Sequence, residues 1–150
     1  MRLCKKFCKL LVANLVDLFP AKKDLLIDMI REVCNLSRLR TRLMRYAFTS
    51  IGMMLLKNLL AQQHSLEVLR SQFKSQPSVI QSQMDTLDSA QEYVSDKLVS
   101  SLARELVKAR MTDSCPLVRK CLLEHIQTFE LNELRQACQQ KEMKLVQHLF

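Results

Sequence analysis

Apolar positions recur at helical spacing along most of the chain, and prolines divide the pattern into segments. The first segment, residues 2–19, carries an apolar stripe that Pro20 ends. A second helix is predicted over residues 22–36. Both predicted helices are short. The side chains expected to be buried on the second one are Leu25, Leu26, Met29, Ile30 and Val33.

A much longer helix is predicted to follow, with Ser37 as its N-cap, because a serine hydroxyl can accept from the free amides of a first helical turn. Nothing breaks the helical pattern until Pro77, and the next segment runs without a breaker to about Met111. In both segments the apolar positions step alternately by four and three residues, as in a coiled-coil seam. The sequence therefore predicts two long helices on either side of Pro77.

If the chain reverses at Pro77, the two seams pair in opposite order. Gln62 and Gln91 would then face each other, and their amides would hydrogen-bond and fix the register of an otherwise apolar seam. This pattern predicts an antiparallel helical hairpin about 35 Å long, at roughly 1.5 Å per residue. The other predicted pairs are Phe73 with Ile80, Leu69 with Met84, Leu66 with Leu87, Leu59 with Val94 and Leu55 with Leu98.

Residues 113–119 have the features of another helix start, with Asp113 or Ser114 as N-cap, Pro116 in the first turn and Arg119 shortly after. This helix is expected to reach about Phe129, and a sixth helix is expected after it. The similarity to the start at Ser37 indicates HEAT-type helix pairs with the long hairpin inserted between them. The predicted fold class is all-α, a HEAT-like helical array with a long antiparallel hairpin.

The predicted organisation is a single domain over residues 1–150. Its first helices cover residues 1–54, the long hairpin covers 55–110, and HEAT-like helices cover 111–150. The bare apolar end of the sequence suggests a part or a truncated form of a longer repeat array.

Composition supports a globular helical chain. A hydrophobic content of 48% excludes disorder, and one Gly with three Pro argues against sheets, which need turn residues at short intervals. Six cysteines without a CxxC pair fit free thiols in a reducing compartment. No run approaches the roughly 20 apolar residues that span a bilayer, so no membrane partner is expected.

The positive charge is concentrated in the first half of the chain. Residues 1–75 hold 14 Lys and Arg against 5 Asp and Glu, whereas residues 76–150 hold 9 against 10. No acid lies between Glu32 and Glu67, and the basic field there should attract phosphate or anionic lipid. The alternative is that the charges only solvate exposed helices.

No catalytic motif is present: the sequence has no glycine-rich phosphate loop and no nucleophile elbow. Cys121 and His125, one helical turn apart and with Cys115 nearby, form the best candidate metal-ligand set. Zinc needs three or four ligands, so a core cysteine and a partly exposed histidine are the favoured interpretation. We therefore expect no enzyme activity, no cofactor, no metal and no small-molecule substrate.

The arginines near Ser37 divide by helical angle. Arg38, Arg42 and Arg45 are predicted to share one face, opposite a packed face that includes Leu39, Leu43 and Tyr46. Arg42 is expected to contact neighbouring turns, as is Arg119. The candidate DNA-binding residues are Lys5, Lys6, Lys9, Lys22, Lys23, Arg38, Arg40 and Arg45.

Residues 25–60 resemble the start of the STAG domain in the stromalin (SA) subunit family of cohesin. The family pattern of Leu-Ser, Val-Arg, Arg and Thr leading into a Met/Leu-rich helix aligns with these residues without a gap, with Thr41 in the place of the family's Val. Residues 5–16 resemble the preceding family helix more loosely, and residues 118–126 resemble a later one. The matched positions are Leu36, Ser37, Thr41, Arg42, Arg45, Thr49, Met53, Leu55 and Leu59.

The resemblance implies a nuclear, chromosome-associated adaptor without enzyme activity. Such a protein would act as a cohesin accessory subunit in sister chromatid cohesion or meiotic chromosome association, with kleisin, SMC proteins and DNA as partners. The alternative is a non-catalytic helical protein scaffold, or a membrane-surface protein, unrelated to cohesin.

Overall fold

The computed structural model describes residues 6, 10, 23–74 and 81–129. Helices make up most of these residues, and the described ranges contain no strand, so the predicted all-α class is confirmed. The predicted first helix lies almost wholly outside the described residues. The turn at Pro77 and the predicted sixth helix lie outside them as well.

Four helical stretches follow one another in the described ranges. Helix α1 covers Lys23–Ser37 and α2 covers Arg42–Lys74. Helix α3 covers residues 81–111, and α4 covers Pro116–Ile126. Within α3, the α-helical parts alternate with π-helical turns. The α-helical parts are Gln81–Glu92, Ser100–Leu102 and Lys108–Met111, and the π-helical parts are Tyr93–Val99 and Ala103–Val107.

The π turns of α3 follow from the spacing of its buried side chains. Val94, Leu98, Leu102, Leu106 and Arg110 are all buried and recur every fourth residue. In a regular α-helix each four-residue step rotates a side chain by about 40° past a full turn, so such a stripe would wind off its face within a few steps. The wider π turns offset that rotation and keep the stripe against its neighbours.

Ser37 ends α1 rather than beginning α2, so its prediction as an N-cap is wrong. The Ser37 hydroxyl donates to the carbonyl of Cys34 at 2.6 Å, which satisfies an acceptor at the carboxyl end of α1. Residues 38–41 form a non-helical turn. The carbonyl of Thr41 accepts from the amide of Arg45 at 3.0 Å, and Thr41 is therefore the residue that caps α2.

The core is apolar and lies where α1, α2, α3 and α4 meet. The predicted stripe of α1 is confirmed for Leu26, Ile30 and Val33, whereas Leu25 is 65% exposed. In α2 the run at residues 53–56 is buried, as expected for core methionines and leucines.

Gly52, the only glycine of the chain, allows α2 and α3 to approach closely. A Cβ atom at this position would lie 2.5 Å from Cδ2 of Leu106 and 3.3 Å from Cγ1 of Val33. A mid-helix glycine costs about 1 kcal/mol relative to alanine. Here the missing side chain leaves room for the fully buried Leu106.

The predicted seam register is wrong. Under that register Arg70 would lie opposite Gln83, but its Nε is 2.7 Å from Oδ1 of Asp88. Likewise Gly52 meets Leu106, five residues beyond the position predicted for it. Oε1 of Gln91 is buried without a hydrogen-bond partner in the described structure, contrary to the predicted pair of glutamine amides.

Helix α4 begins at Pro116, so the predicted proline in the first turn is confirmed, but its N-cap is Cys115, not Asp113 or Ser114. Asp113 instead holds the turn before the helix, because its Oδ1 accepts from the amide of Cys115 at 2.8 Å. The helix ends at Ile126, and a short turn continues to the buried Phe129.

Candidate nucleic-acid interface

The turn between α1 and α2, together with the first residue of α2, carries three exposed arginines. We call residues 38–42 the basic turn. Arg38 pairs with Glu105 of α3, and both side chains are about half exposed. Arg40 and Arg42 are exposed and have no ion-pair partner in the described part of the chain. The basic turn therefore offers two uncompensated guanidinium groups to an anion.

A buried cluster of charged groups lies behind the basic turn. Oδ2 of Asp113 lies 3.1 Å from Nε of Arg45 and accepts from Nη1 of Arg110 at 2.6 Å. Nη1 of Arg119 donates to the backbone carbonyl of Asp113. The Asp113 side chain is 3% exposed, and those of Arg45 and Arg110 are 13% and 10% exposed. We refer to Asp113 and these three arginines as the Asp113 cluster.

Arg45 connects the basic turn to the Asp113 cluster. Its Nη1 donates to the carbonyl of Arg40 at 2.8 Å and lies 3.2 Å from the carbonyl of Leu39. The two carbonyls belong to the basic turn. The Asp113 carboxylate, which Arg45 also contacts, belongs to the loop after α3. Arg45 thus fixes the backbone from which Arg40 projects.

The cluster is positive as a whole, since it holds three guanidinium groups and one carboxylate, which pairs with Arg45 and Arg110. Burial lowers the pKa of Arg110 from its ordinary value, and the neighbouring Asp113 carboxylate acts in the opposite direction. An arginine remains charged despite such a shift. The charge behind the basic turn therefore adds to the positive potential at its surface.

The division of this segment into a charged face and a packed face is wrong at several positions. Leu43, predicted to be packed, is 78% exposed, and Leu39 and Tyr46 are each 39% exposed. Arg45, predicted to share an exposed face, points into the protein. Because Ser37 ends α1, the helix begins four residues later than predicted, and the turn before it does not follow helical angles.

The structure brings only part of the candidate DNA-binding set together. Arg38 and Arg40 lie in the basic turn, whereas the Arg45 side chain is largely buried in the Asp113 cluster. Lys6 is exposed, and Lys23 is the first residue of α1. Lys5, Lys9 and Lys22 lie outside the described residues.

Sequence reasoning did not include Arg42 among the binding residues or recognise the role of Asp113. Arg42 was expected to contact neighbouring turns, but it is exposed at the first position of α2. Of the two arginines given that role, only Arg119 makes such a contact. A signal for Asp113 was present, because Arg110 precedes it by three residues on a helix that ends between them.

Cys121 and His125, the candidate metal ligands, both contact Ser50. Cys121 is buried, and the Ser50 hydroxyl lies 3.0 Å from Nε2 of His125. Burial raises the pKa of the Cys121 thiol, and hydrogen bonds with Ser50 and Tyr46 oppose that effect. A search of the described residues found no group of three metal-ligating side chains.

A scan against protein-family models, a search of curated proteins and a search of solved structures found no match to this chain. Among the described helices, none is both long enough and apolar enough to cross a membrane.

Proposed function

We propose that the chain is a non-enzymatic adaptor that binds DNA phosphates and partner proteins, in the manner of a cohesin accessory subunit. In this proposal its fold is a HEAT-like array with an antiparallel helical hairpin formed by α2 and α3. Two contacts in opposite chain order support the hairpin. Arg70 meets Asp88, and Gly52 meets Leu106.

The observation that carries the DNA-binding proposal is the exposure of Arg40 and Arg42 on a turn with a fixed backbone. Most contacts between proteins and DNA are made to phosphate and sugar, and arginine forms two hydrogen bonds with a phosphate. The Asp113 cluster holds the turn and adds positive charge behind it. A surface of this kind would bind duplex DNA with little dependence on base sequence.

The cohesin assignment rests on the resemblance of residues 25–60 to the STAG domain. It implies a nuclear location, association with chromosomes in mitosis or meiosis, and kleisin or SMC proteins as partners. Purification of the tagged chain from nuclear extract, followed by identification of cohesin ring subunits by mass spectrometry, tests this assignment. Failure to recover any ring subunit would contradict it.

The DNA-binding proposal is tested with charge-reversal variants of the full chain. We expect Arg40→Glu with Arg42→Glu to weaken binding to a fluorescent 20-base-pair duplex by at least about tenfold at low salt. The slope of log affinity against log salt should fall by about 2, because each phosphate contact contributes roughly 0.9. Fluorescence anisotropy at several salt concentrations measures both quantities.

Lys97→Glu with Lys120→Glu is the matched control, since both lysines are exposed and the net charge changes by the same amount. Equal loss of affinity in the two double variants would mean that net charge, not the basic turn, controls binding. Unchanged DNA affinity in the arginine variant would exclude the basic turn as the DNA-binding surface.

A second candidate function, a protein scaffold unrelated to cohesin, is favoured by exposed apolar side chains near the same turn. Leu43 is 78% exposed and Leu117 is 66% exposed. Cys121 contacts Tyr46 and His125 contacts Ser50, so α2 and α4 pack side by side. Leu43 and Leu117 lie one helical turn before Tyr46 and Cys121, and they therefore extend the same α2–α4 interface. If Leu43→Ser with Leu117→Ser abolishes capture of proteins from extract while DNA affinity is unchanged, the scaffold function is supported.

A further inference from the structure

Thr41 lies in the basic turn between Arg40 and Arg42 and is accessible. It is exposed and non-helical, and its hydroxyl makes no hydrogen bond within the described residues. A protein kinase binds its substrate as a short exposed segment, and a turn between two helices provides one. Thr41 therefore satisfies the steric requirement for a phosphoryl acceptor.

The residues before Thr41 match the charge pattern preferred by kinases with an acidic substrate groove. Arg38 precedes Thr41 by three residues and Arg40 by one. No other serine or threonine in the sequence has an arginine three residues before it. The ion pair of Arg38 with Glu105 is solvent-exposed, so Arg38 can exchange this partner for a kinase carboxylate at little cost.

From these observations we propose that Thr41 is a phosphorylation site through which a basic-directed protein kinase switches off the basic turn. The regulatory part of this inference rests on the proposed DNA-binding function. The Thr41 hydroxyl oxygen attacks the γ-phosphorus of ATP, and a phosphate ester forms. The bond from that phosphorus to the bridging oxygen breaks, ADP leaves, and the hydroxyl proton passes to a kinase base.

The phosphate would act on the local charge. It adds about 1.5 to 2 negative charges between Arg40 and Arg42, enough to offset the charge of both guanidinium groups. Those two groups would then be unavailable to DNA phosphate. Affinity for DNA should therefore fall by at least about tenfold, as for loss of two phosphate contacts.

The same phosphate should also stabilise α2. The first turn of α2 contains no acidic residue, and Thr41 is its capping residue. A phosphate at this position can accept from the free amides of the first turn and interact favourably with the helix dipole. We expect the midpoint of thermal unfolding to rise by about 1 to 3 °C.

The acceptor site is tested by incubating the full chain with ATP and the catalytic subunit of cyclic-AMP-dependent protein kinase. Mass spectrometry should find one phosphate, on Thr41. Thr41→Ala should abolish the labelling, and Arg38→Gln should slow it at least tenfold. Thr112→Ala is the matched control because Thr112 is exposed but has its nearest arginine two residues before it. Labelling elsewhere, or equal labelling of Arg38→Gln, would overturn the site.

The regulatory part is tested by comparing phosphorylated and unmodified protein in the duplex anisotropy assay. A tenfold or greater loss of affinity supports the inference, and equal affinities overturn it. If the unmodified protein does not bind DNA, both the proposed DNA-binding function and the regulation fail. Mass spectrometry and the unfolding midpoint still decide whether Thr41 is an acceptor that stabilises α2.

Discussion

Helix α2 contacts its neighbours in two different ways. Near Arg45 the contact is a buried ion pair, and near Gly52 it is close apolar packing that the missing side chain permits. At Arg45 the contact joins α2 to Asp113 in the loop after α3, with both side chains almost completely buried. At Gly52 the neighbour is the fully buried Leu106 of α3. Buried charge is sensitive to the loss of one partner, whereas an apolar contact is sensitive to volume. The two ends of one interface should therefore respond to different substitutions.

The largest expected effect is at the charged end. Asp113→Ala would leave Arg45 and Arg110 buried without their carboxylate, and we expect a loss of about 3 to 5 kcal/mol in the free energy of unfolding. Urea unfolding followed by circular dichroism measures it. Asp28→Ala is the control, because Asp28 pairs with Arg31 with both side chains 63% exposed. Similar losses in the two variants would contradict the special role of Asp113.

Cys34 of α1 is buried near Arg110 of the charged region and gives the comparison a pH dependence. Burial raises the pKa of its thiol from 9.0 to about 11, and the nearby Arg38, Glu105 and Arg110 act with smaller and mixed effects. The folded state therefore holds the proton more tightly than the unfolded state. This contribution to stability is complete below pH 9 and is lost as the pH rises through 11.

The contribution of the Cys34 thiol is on the order of 2 kcal/mol. We expect the stability difference between the wild-type protein and Cys34→Ala to shrink by about this amount between pH 8 and pH 11. Urea unfolding of both proteins across this range measures the change. A constant difference would indicate that the thiol has an ordinary pKa.

At the apolar end, Gly52→Ala tests volume. The added methyl group would displace Leu106 or Val33 at a cost of about 1 to 3 kcal/mol, partly offset by about 1 kcal/mol of helix propensity. We expect a net loss of about 1 kcal/mol. In a Leu106→Ala background, the same substitution should be neutral or stabilising, because the space is then free. Additive effects in this double-mutant cycle would contradict the close approach at Gly52.

The smallest expected effect is at the solvent-exposed pair of Arg70 with Asp88, whose side chains are 38% and 42% exposed. A double-mutant cycle with Arg70→Met and Asp88→Asn should give a coupling of roughly 0.5 kcal/mol that declines with added salt. Lys120 with Glu124, at 3.8 Å, is the comparison pair and should couple more weakly. A coupling free energy above about 2 kcal/mol would mean that this pair behaves like a buried ion pair.

The site was predictable only in part. An acid-free stretch containing four arginines marked the region, because uncompensated charge can be read directly from the sequence. The directions of those arginines could not be read in the same way. Their predicted angles assumed a helix through residues 38–41, and Arg45 was therefore assigned to the wrong side. Arg45 points inward because Asp113, far along the chain, supplies the opposite charge.

The amino-acid sequence alone determined the helical class and the approximate extents of the long helices, because apolar periodicity and proline act locally. It also predicted a new helix with Pro116 in its first turn. Only the tertiary structure decided the register of α2 against α3. An apolar seam repeats, so several registers bury similar area. One register allows both the contact of Gly52 with Leu106 and the ion pair of Arg70 with Asp88. These contacts between residues far apart in the sequence select that register.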